Sequence, residues 1–175
     1  AKGNEFMRRD QYDGEIIFDN VNYSYPNQDS NAIENISFKI GKGERIGLVG
    51  RVGSGKTTIG KLITKLFLPQ TGSISIDGID IRQLDPSEIR ENIGYVSQDP
   101  WLIAGTIEQN ISLGATDIKS EAIIEAADIA TATEFINKHT KGFKQILDER
   151  GEGLSGGQKQ ALTVARALVK KPPIF

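Results

Sequence analysis

Gly50–Arg51–Val52–Gly53–Ser54–Gly55–Lys56–Thr57 follows the spacing G-x-x-x-x-G-K-[ST], and residues of those types in that order suit a chain of phosphates. Glycines admit positive φ, so successive main-chain N–H groups can turn inward around an anion. A helix opening just after Gly55 would direct roughly half a positive charge at the same point. Lys56 would supply a full charge for the β- and γ-phosphates, and the Thr57 hydroxyl could ligate Mg2+. The plainer reading is a glycine-rich turn with an exposed lysine. Context separates the two: the phosphate reading needs a buried strand before the loop and a helix after it.

A second candidate lies far downstream, at Leu154–Ser155–Gly156–Gly157–Gln158. Ser155 is a natural N-cap for the helix that follows, and Gly156 and Gly157 leave first-turn amides open to a large ligand. Taken alone, this stretch is simply a capped helix.

The elements that must position these residues alternate between strand and helix. Arg45–Ile46–Gly47–Leu48–Val49 is a short apolar run, expected as a strand covered on both faces, and it leads straight into the glycine loop. Thr58 to Leu68 carries Ile59, Leu62, Ile63 and Leu66 at helical spacing, closed by Pro69. Upstream, Ile16–Phe18 and Val21–Tyr25 are extended segments, and Ala32–Ile40 places Ile36, Phe38 and Ile40 on one strand face. Ser73–Gly78 is a strand turning into a hairpin, Pro86–Asn92 one or two helical turns, and Ile93–Val96 a second covered strand. From about Gly105 to Lys138 the period is helical, and a last helix spans about Gly156 to Lys171 with Ala161, Leu162, Val164, Ala165, Leu168 and Val169 on its apolar side. The pattern is α/β, with a mainly helical block in the second half.

Composition removes several classes of function. Lys+Arg 21 against Asp+Glu 23 gives a formal charge of −2, too balanced for a general polyanion coat, so no nucleic-acid partner is expected. With no cysteine there are no disulfides, thiolate zinc sites or Cys nucleophiles. The single histidine, His139, makes His-based metal clusters and Ser/His/Asp catalysis untenable. No apolar run reaches the ~18–20 residues that a membrane helix needs. The first 14 residues are polar and aperiodic and are expected to be a linker.

Taken together, the glycine loop and Leu154–Gln158 make the chain resemble the nucleotide-binding domain of an ABC transporter from about Glu15 to Phe175. Three further stretches fit in order. Tyr25, before Pro26, matches the aromatic residue that stacks on adenine; Gln98 matches the Q-loop glutamine, placed by the resemblance on Mg2+ and the attacking water; Glu149–Arg150–Gly151 looks like the X-loop of exporters. The resemblance implies a P-loop NTPase core with an antiparallel β subdomain and a helical subdomain. It implies ATP and Mg2+ as ligands: Gly50, Gly53, Ser54, Gly55, Lys56, Thr57 and Thr58 on the phosphates, Thr58 at the α-phosphate, Thr57 and Gln98 on the metal. Ser155, Gly156, Gly157 and Gln158 would reach the ATP held by a second such domain, closed head to tail in a homodimer.

The same resemblance implies an exporter ATPase at the cytoplasmic face of a bacterial inner membrane, similar to type I secretion and bacteriocin exporters. Cytoplasmic helices of a membrane domain would dock near Trp101, and residues 1–14 would lead from that domain. The chain departs from the family's pattern at its C-terminus. Ile174 and Phe175 match only the start of the Walker B strand, and the D-loop and switch histidine are absent. A C-terminally incomplete domain with little turnover by itself is therefore expected, with an unpaired apolar edge along Ile46–Val49. Two rivals remain: a non-transport ABC ATPase acting on nucleic acid, and an ATP-binding module that never hydrolyses. The absence of sustained heptads between the two motifs weighs against the first.

Overall fold

The computed structural model describes residues 6–9, 11–28, 30–113, 115 and 117–175, which form two compact units. One comprises the described residues up to Ile93 with Ile174; the other runs from Gly94 to Pro173 with Phe175. Among the described residues no helix is long and apolar enough to cross a membrane.

In the first unit an antiparallel sheet is built from β1 (Ile16–Tyr23), β2 (Ile33–Ile40), β3 (Thr71–Ile76) and β4 (Ile79–Asp80), in the order β2-β1-β3-β4. Phe18 faces Phe38 on one side and Ile74 on the other, and the two phenyl rings stack with centroids 4.5 Å apart. Strict alternation from Ile16 and Phe18 would send Val21 and Tyr23 outward. A bulge between Phe18 and Val21, with Asn20 at φ +48°, turns both back into the core. Gly72 lies against that bulge at φ +78°; a Cβ there would stand 2.4 Å from the carbonyl oxygens of Asp19 and Asn20, so only glycine fits.

Helix α1 (Lys56–Ile63) packs Ile59 and Leu62 into this core, and α2 (Pro86–Glu91) adds Ile89. The Asp85 carboxylate caps α2 by accepting the Ser87 amide at 2.7 Å. Helix α1 stops five residues before the expected Leu68. Lys65 takes φ +52° and its ammonium donates to the Leu84 carbonyl at 2.6 Å, turning Phe67 toward the aromatic side chains of β1. Long-range bonding overrides the helical period there.

Residues 1–14 were expected to form a linker, and the described part of that stretch packs onto the first unit. Met7 pairs with Leu84, its amide donating to the Gln83 carbonyl at 2.8 Å, and Tyr12 is buried. The Asp77 carboxylate accepts the Asp13 and Glu15 amides, each at 2.8 Å, while Tyr12 donates its hydroxyl to Glu88 at 2.8 Å. Burial pushes the Tyr12 hydroxyl above the ordinary phenol range, and the Glu88 carboxylate adds to the rise. Distant acidic residues satisfy these local polar groups, which polarity by itself does not reveal.

Two expected strands are also absent. Ile46–Val49 joins no ladder among the described residues and is exposed, Val49 completely. Ile93–Val96 keeps only a parallel bridge from Ile93 to Ile174, and Tyr95 is exposed. A parallel strand needs hydrogen-bonding neighbours along both sides, which an apolar run cannot itself provide.

The second unit is mainly helical. The pair β5 (Gly105–Thr106) and β6 (Ile146–Leu147) accompanies α3 (Ile107–Ser112), α4 (Ser120–Ile129), α5 (Thr133–Lys138) and α6 (Gly156–Leu168). Leu162, Ala165 and Val169 face the core, as the apolar side of the last helix requires. Asn110 is fully buried inside it with every polar group engaged. Its Oδ1 accepts from the Ile103 amide at 2.9 Å and Arg166 Nη2 at 3.1 Å; its Nδ2 donates to the Ile103 and Thr106 carbonyls at 2.9 and 3.1 Å. Arg166 also reaches the Asn110 and Trp101 carbonyls, at 2.8 and 2.7 Å, tying α6 to the 101–103 segment. Asn110→Ala strands several buried groups and is expected to cost about 2–4 kcal/mol in urea unfolding. A loss below about 1 kcal/mol would show that the network does not hold this unit together.

Candidate functional site

The glycine loop runs from Gly50 into the first turn of α1. Gly53 and Gly55 take φ +81° and +85°, and Gly55 is the N-cap with no side chain capping the helix. The first amides of α1 therefore have no intrahelical acceptor and no cap, which is the donor set an anion needs. Lys56 is folded back over the loop. Its ammonium donates to the Gly50 and Arg51 carbonyls, each at 2.8 Å, and to the Ser54 hydroxyl at 3.3 Å. Gly50 makes room for this, since a Cβ there would meet Ser54 Oγ at 2.5 Å. A full positive charge, a glycine backbone and an open helix terminus thus meet in one turn. Thr57 is exposed beside them, and the Ser54 side chain faces Gly50 and Lys56.

Thr58 follows on the first turn of α1. It is buried, and its hydroxyl lies 3.0 Å from that of Tyr25. Tyr25, half-buried just past β1, meets Tyr23 and Phe67 edge-on with ring centroids 5.2 and 5.5 Å away. The Lys61 ammonium stands 5.7 Å over the Tyr25 ring. Tyr23, beside it on β1, is 5% exposed and belongs to the core; burial pushes its hydroxyl up. Neither Phe67 nor Lys61 stood out in the sequence. The available signal was a cation and an aromatic six residues apart beside a tyrosine-rich strand, which has no meaning until the chain folds back.

In the second unit Ser155 caps α6 as expected. Its hydroxyl accepts the Gln158 amide at 3.2 Å, and the Gln158 side chain accepts the Ser155 amide at 2.8 Å, closing a capping box. Gly156 and Gly157 occupy the first turn with ordinary helical φ. A Cβ on Gly156 would meet nothing within 4 Å, and one on Gly157 only Ser155 Oγ at 4.0 Å. Nothing in the packing of the described residues requires glycine there, although each one weakens the helix by about 0.5–1 kcal/mol relative to alanine. Gln98 lies exposed in a bend, and Trp101 is 62% exposed. Glu149–Arg150–Gly151 is a single 3-10 turn with Arg150 at φ +70°.

Thr57 and Gln98 offer hard oxygen donors of the kind Mg2+ takes. Among the described residues no group of three or more His, Cys, Asp or Glu could hold a metal ion. A cation at Thr57 would rely on few protein ligands and on phosphate oxygens and water, the usual habit of Mg2+.

Comparison with known proteins gives the following. The family model described as ABC transporter matches residues 33–175. The chain is 43% identical to the alpha-hemolysin translocation ATP-binding protein HlyB of Escherichia coli O157:H7, covering 93% of this chain and 23% of that protein. It is 44% identical to the mitochondrial potassium channel ATP-binding subunit of Rattus norvegicus, with the same shares. Among solved structures, a bacterial Atm1-family ABC exporter with ATP bound superposes with a TM-score of 0.90 at 34% identity, over 99% of this chain and 30% of that one. The chain thus spans about a quarter of the length of these curated relatives.

Proposed function

The chain belongs to the ABC transporter family, as an ATP-binding domain of exporter type, and on that premise we propose that it binds Mg-ATP at Gly50–Thr58 and powers export across a membrane. The observation that carries this reading is the Lys56 ammonium held at the centre of a glycine loop that opens onto an uncapped helix. In it, Gly53 and Gly55 offer main-chain amides to the phosphates, Ser54 lines the loop, Lys56 neutralises the phosphate charge, and Thr57 and Gln98, each in its own unit, would be Mg2+ ligands. The metal supplies charge neutralisation at the phosphate being released. Tyr25 stacks on the base, and Gln98 orients water.

Gly156 and Gly157 give the reading its second half. Two glycines that the fold does not need imply a close approach from outside the chain, here the ATP carried by a second copy paired head to tail, with Ser155 and Gln158 flanking it. The pair would sit at the cytoplasmic face of a bacterial inner membrane, receive cytoplasmic helices of a membrane domain near Trp101, and follow that domain through residues 1–14. Cargo choice falls to the membrane domain, because relatives bearing the names of a toxin translocator and a potassium channel subunit match this chain almost equally.

Calorimetric titration of the intact protein tests this. Mg-ATP and Mg-ADP are expected to bind at least about 10-fold more tightly than AMP, because the loop engages β- and γ-phosphates. Light scattering should then find a dimer with ATP that ADP does not support. AMP binding as tightly as ATP would overturn the assignment.

A further inference from the structure

We propose that Lys61 is a positioning residue for the base of the nucleotide, its ammonium holding and polarising the Tyr25 ring on which that base stacks. This rests on the nucleotide site proposed above. Lys61 stands half-buried in the last turn of α1, and among the described residues it makes no ion pair. Its ammonium sits instead over two rings, 5.7 Å from the centroid of Tyr25 and 5.9 Å from that of Phe67. Those rings meet at 87°, so the charge occupies the corner between them. A cation near a helix C-terminus suits the negative pole there, but that pole does not require the side chain to reach any particular neighbour. Here the lysine stem carries the charge onto two aromatic faces, whose negative quadrupoles attract it.

The shared charge ties Tyr25 to Phe67, and Phe67 is itself stacked on the core residue Tyr23 with centroids 5.3 Å apart. A ring ordered beforehand loses less side-chain freedom when a base settles on it, which favours binding. The ammonium also draws electron density from the ring, and an electron-poor ring is the better stacking partner for an electron-rich purine. Helix α1 thereby serves both ends of a nucleotide. Its uncapped first turn opens onto the phosphate loop, and its last turn sets the base platform.

The test is calorimetry of the intact protein with Mg-ATP and Mg-tripolyphosphate, the second having phosphates but no base. Salt of about 0.15 M screens bare charges beyond about 8 Å. Lys61→Met keeps the length of the side chain and removes its charge. It is expected to weaken ATP by about 3–10-fold and to leave tripolyphosphate unchanged within about twofold. Lys61→Arg, which keeps a cation for the rings, should bind ATP within about twofold of wild type. In a Tyr25→Leu background Lys61→Met should cost less than about twofold more, because the ring through which it acts is gone. Equal weakening of both probes would make Lys61 a charge for phosphates and overturn the proposal. So would unchanged ATP binding in Lys61→Met, or its full loss repeated in the Tyr25→Leu background. Should Lys61→Met fail to fold, Lys61→Gln carries the same contrast of probes at this half-buried position. Wild-type protein that binds tripolyphosphate as tightly as ATP would instead remove the base platform, and one that binds neither would remove the nucleotide site, each taking this proposal with it.

Discussion

Lys56→Ala in the intact protein is expected to reduce ATP turnover by at least about 10²–10³-fold, the loss that follows removal of one preorganised charge or donor at a reacting oxyanion. Lys56 is the only full charge that the loop's own contacts hold at its centre, shared among Gly50 O, Arg51 O and Ser54 Oγ. Those partners lie at an exposed loop, so once the ammonium is gone water can hydrate them. Folding stability should therefore change by no more than about 1 kcal/mol. That separates the chemical effect from a structural one. Lys56→Arg keeps the charge but brings a planar fork in place of a compact ammonium, and it should rescue little. Phosphate release and thermal melting measured side by side decide the matter. Turnover within tenfold of wild type in Lys56→Ala would remove the loop from the chemistry.

Alanine at two glycines should produce opposite results. Gly55→Ala asks a Cβ to stand 2.5 Å from the Ala32 carbonyl oxygen and 2.7 Å from Ile33 Cδ1, at φ +85°. The left-handed backbone alone costs about 1–2 kcal/mol, and the backbone carbonyl has little freedom to retreat, so a total loss of about 2–4 kcal/mol is expected. Gly157→Ala adds a methyl in open space on the first turn of α6 and should leave stability unchanged or raise it by up to about 1 kcal/mol. Its effect should appear only when something packs closely against that turn: ATP-dependent pairing, read by light scattering, should fall by at least about 10-fold. Normal pairing in Gly157→Ala would mean that these glycines face no partner, and the head-to-tail arrangement would fail. A stable Gly55→Ala would mean that the loop's left-handed backbone is not required.

Much of the site was legible in advance because its determinants are local. The spacing from Gly50 to Thr57 specifies a turn, a charge and a helix start within eight consecutive residues, and Ser155 with Gln158 specifies a cap within four. The alternation of Ile36, Phe38 and Ile40 marked β2 for the same reason. Other features depended on partners far along the chain. Polar residues near the N-terminus looked unstructured until Asp77 and Glu88 supplied acceptors for them. Ile46–Val49 looked like a covered strand because apolarity is local, whereas its pairing is not.

The amino-acid order by itself therefore determined where the glycine loop and its lysine stand, where two helices begin, and the family to which the chain belongs. Backbone conformation and helix caps are decided within a few residues, and a motif carries that information whole. Only the tertiary structure decided that Thr58 turns to Tyr25, that Lys61 and Phe67 surround the same ring, and that Asn110 binds α6 to the 101–103 segment. Those contacts join residues separated by long loops. Their existence depends on burial and on hydrogen bonds that close only when the whole unit packs.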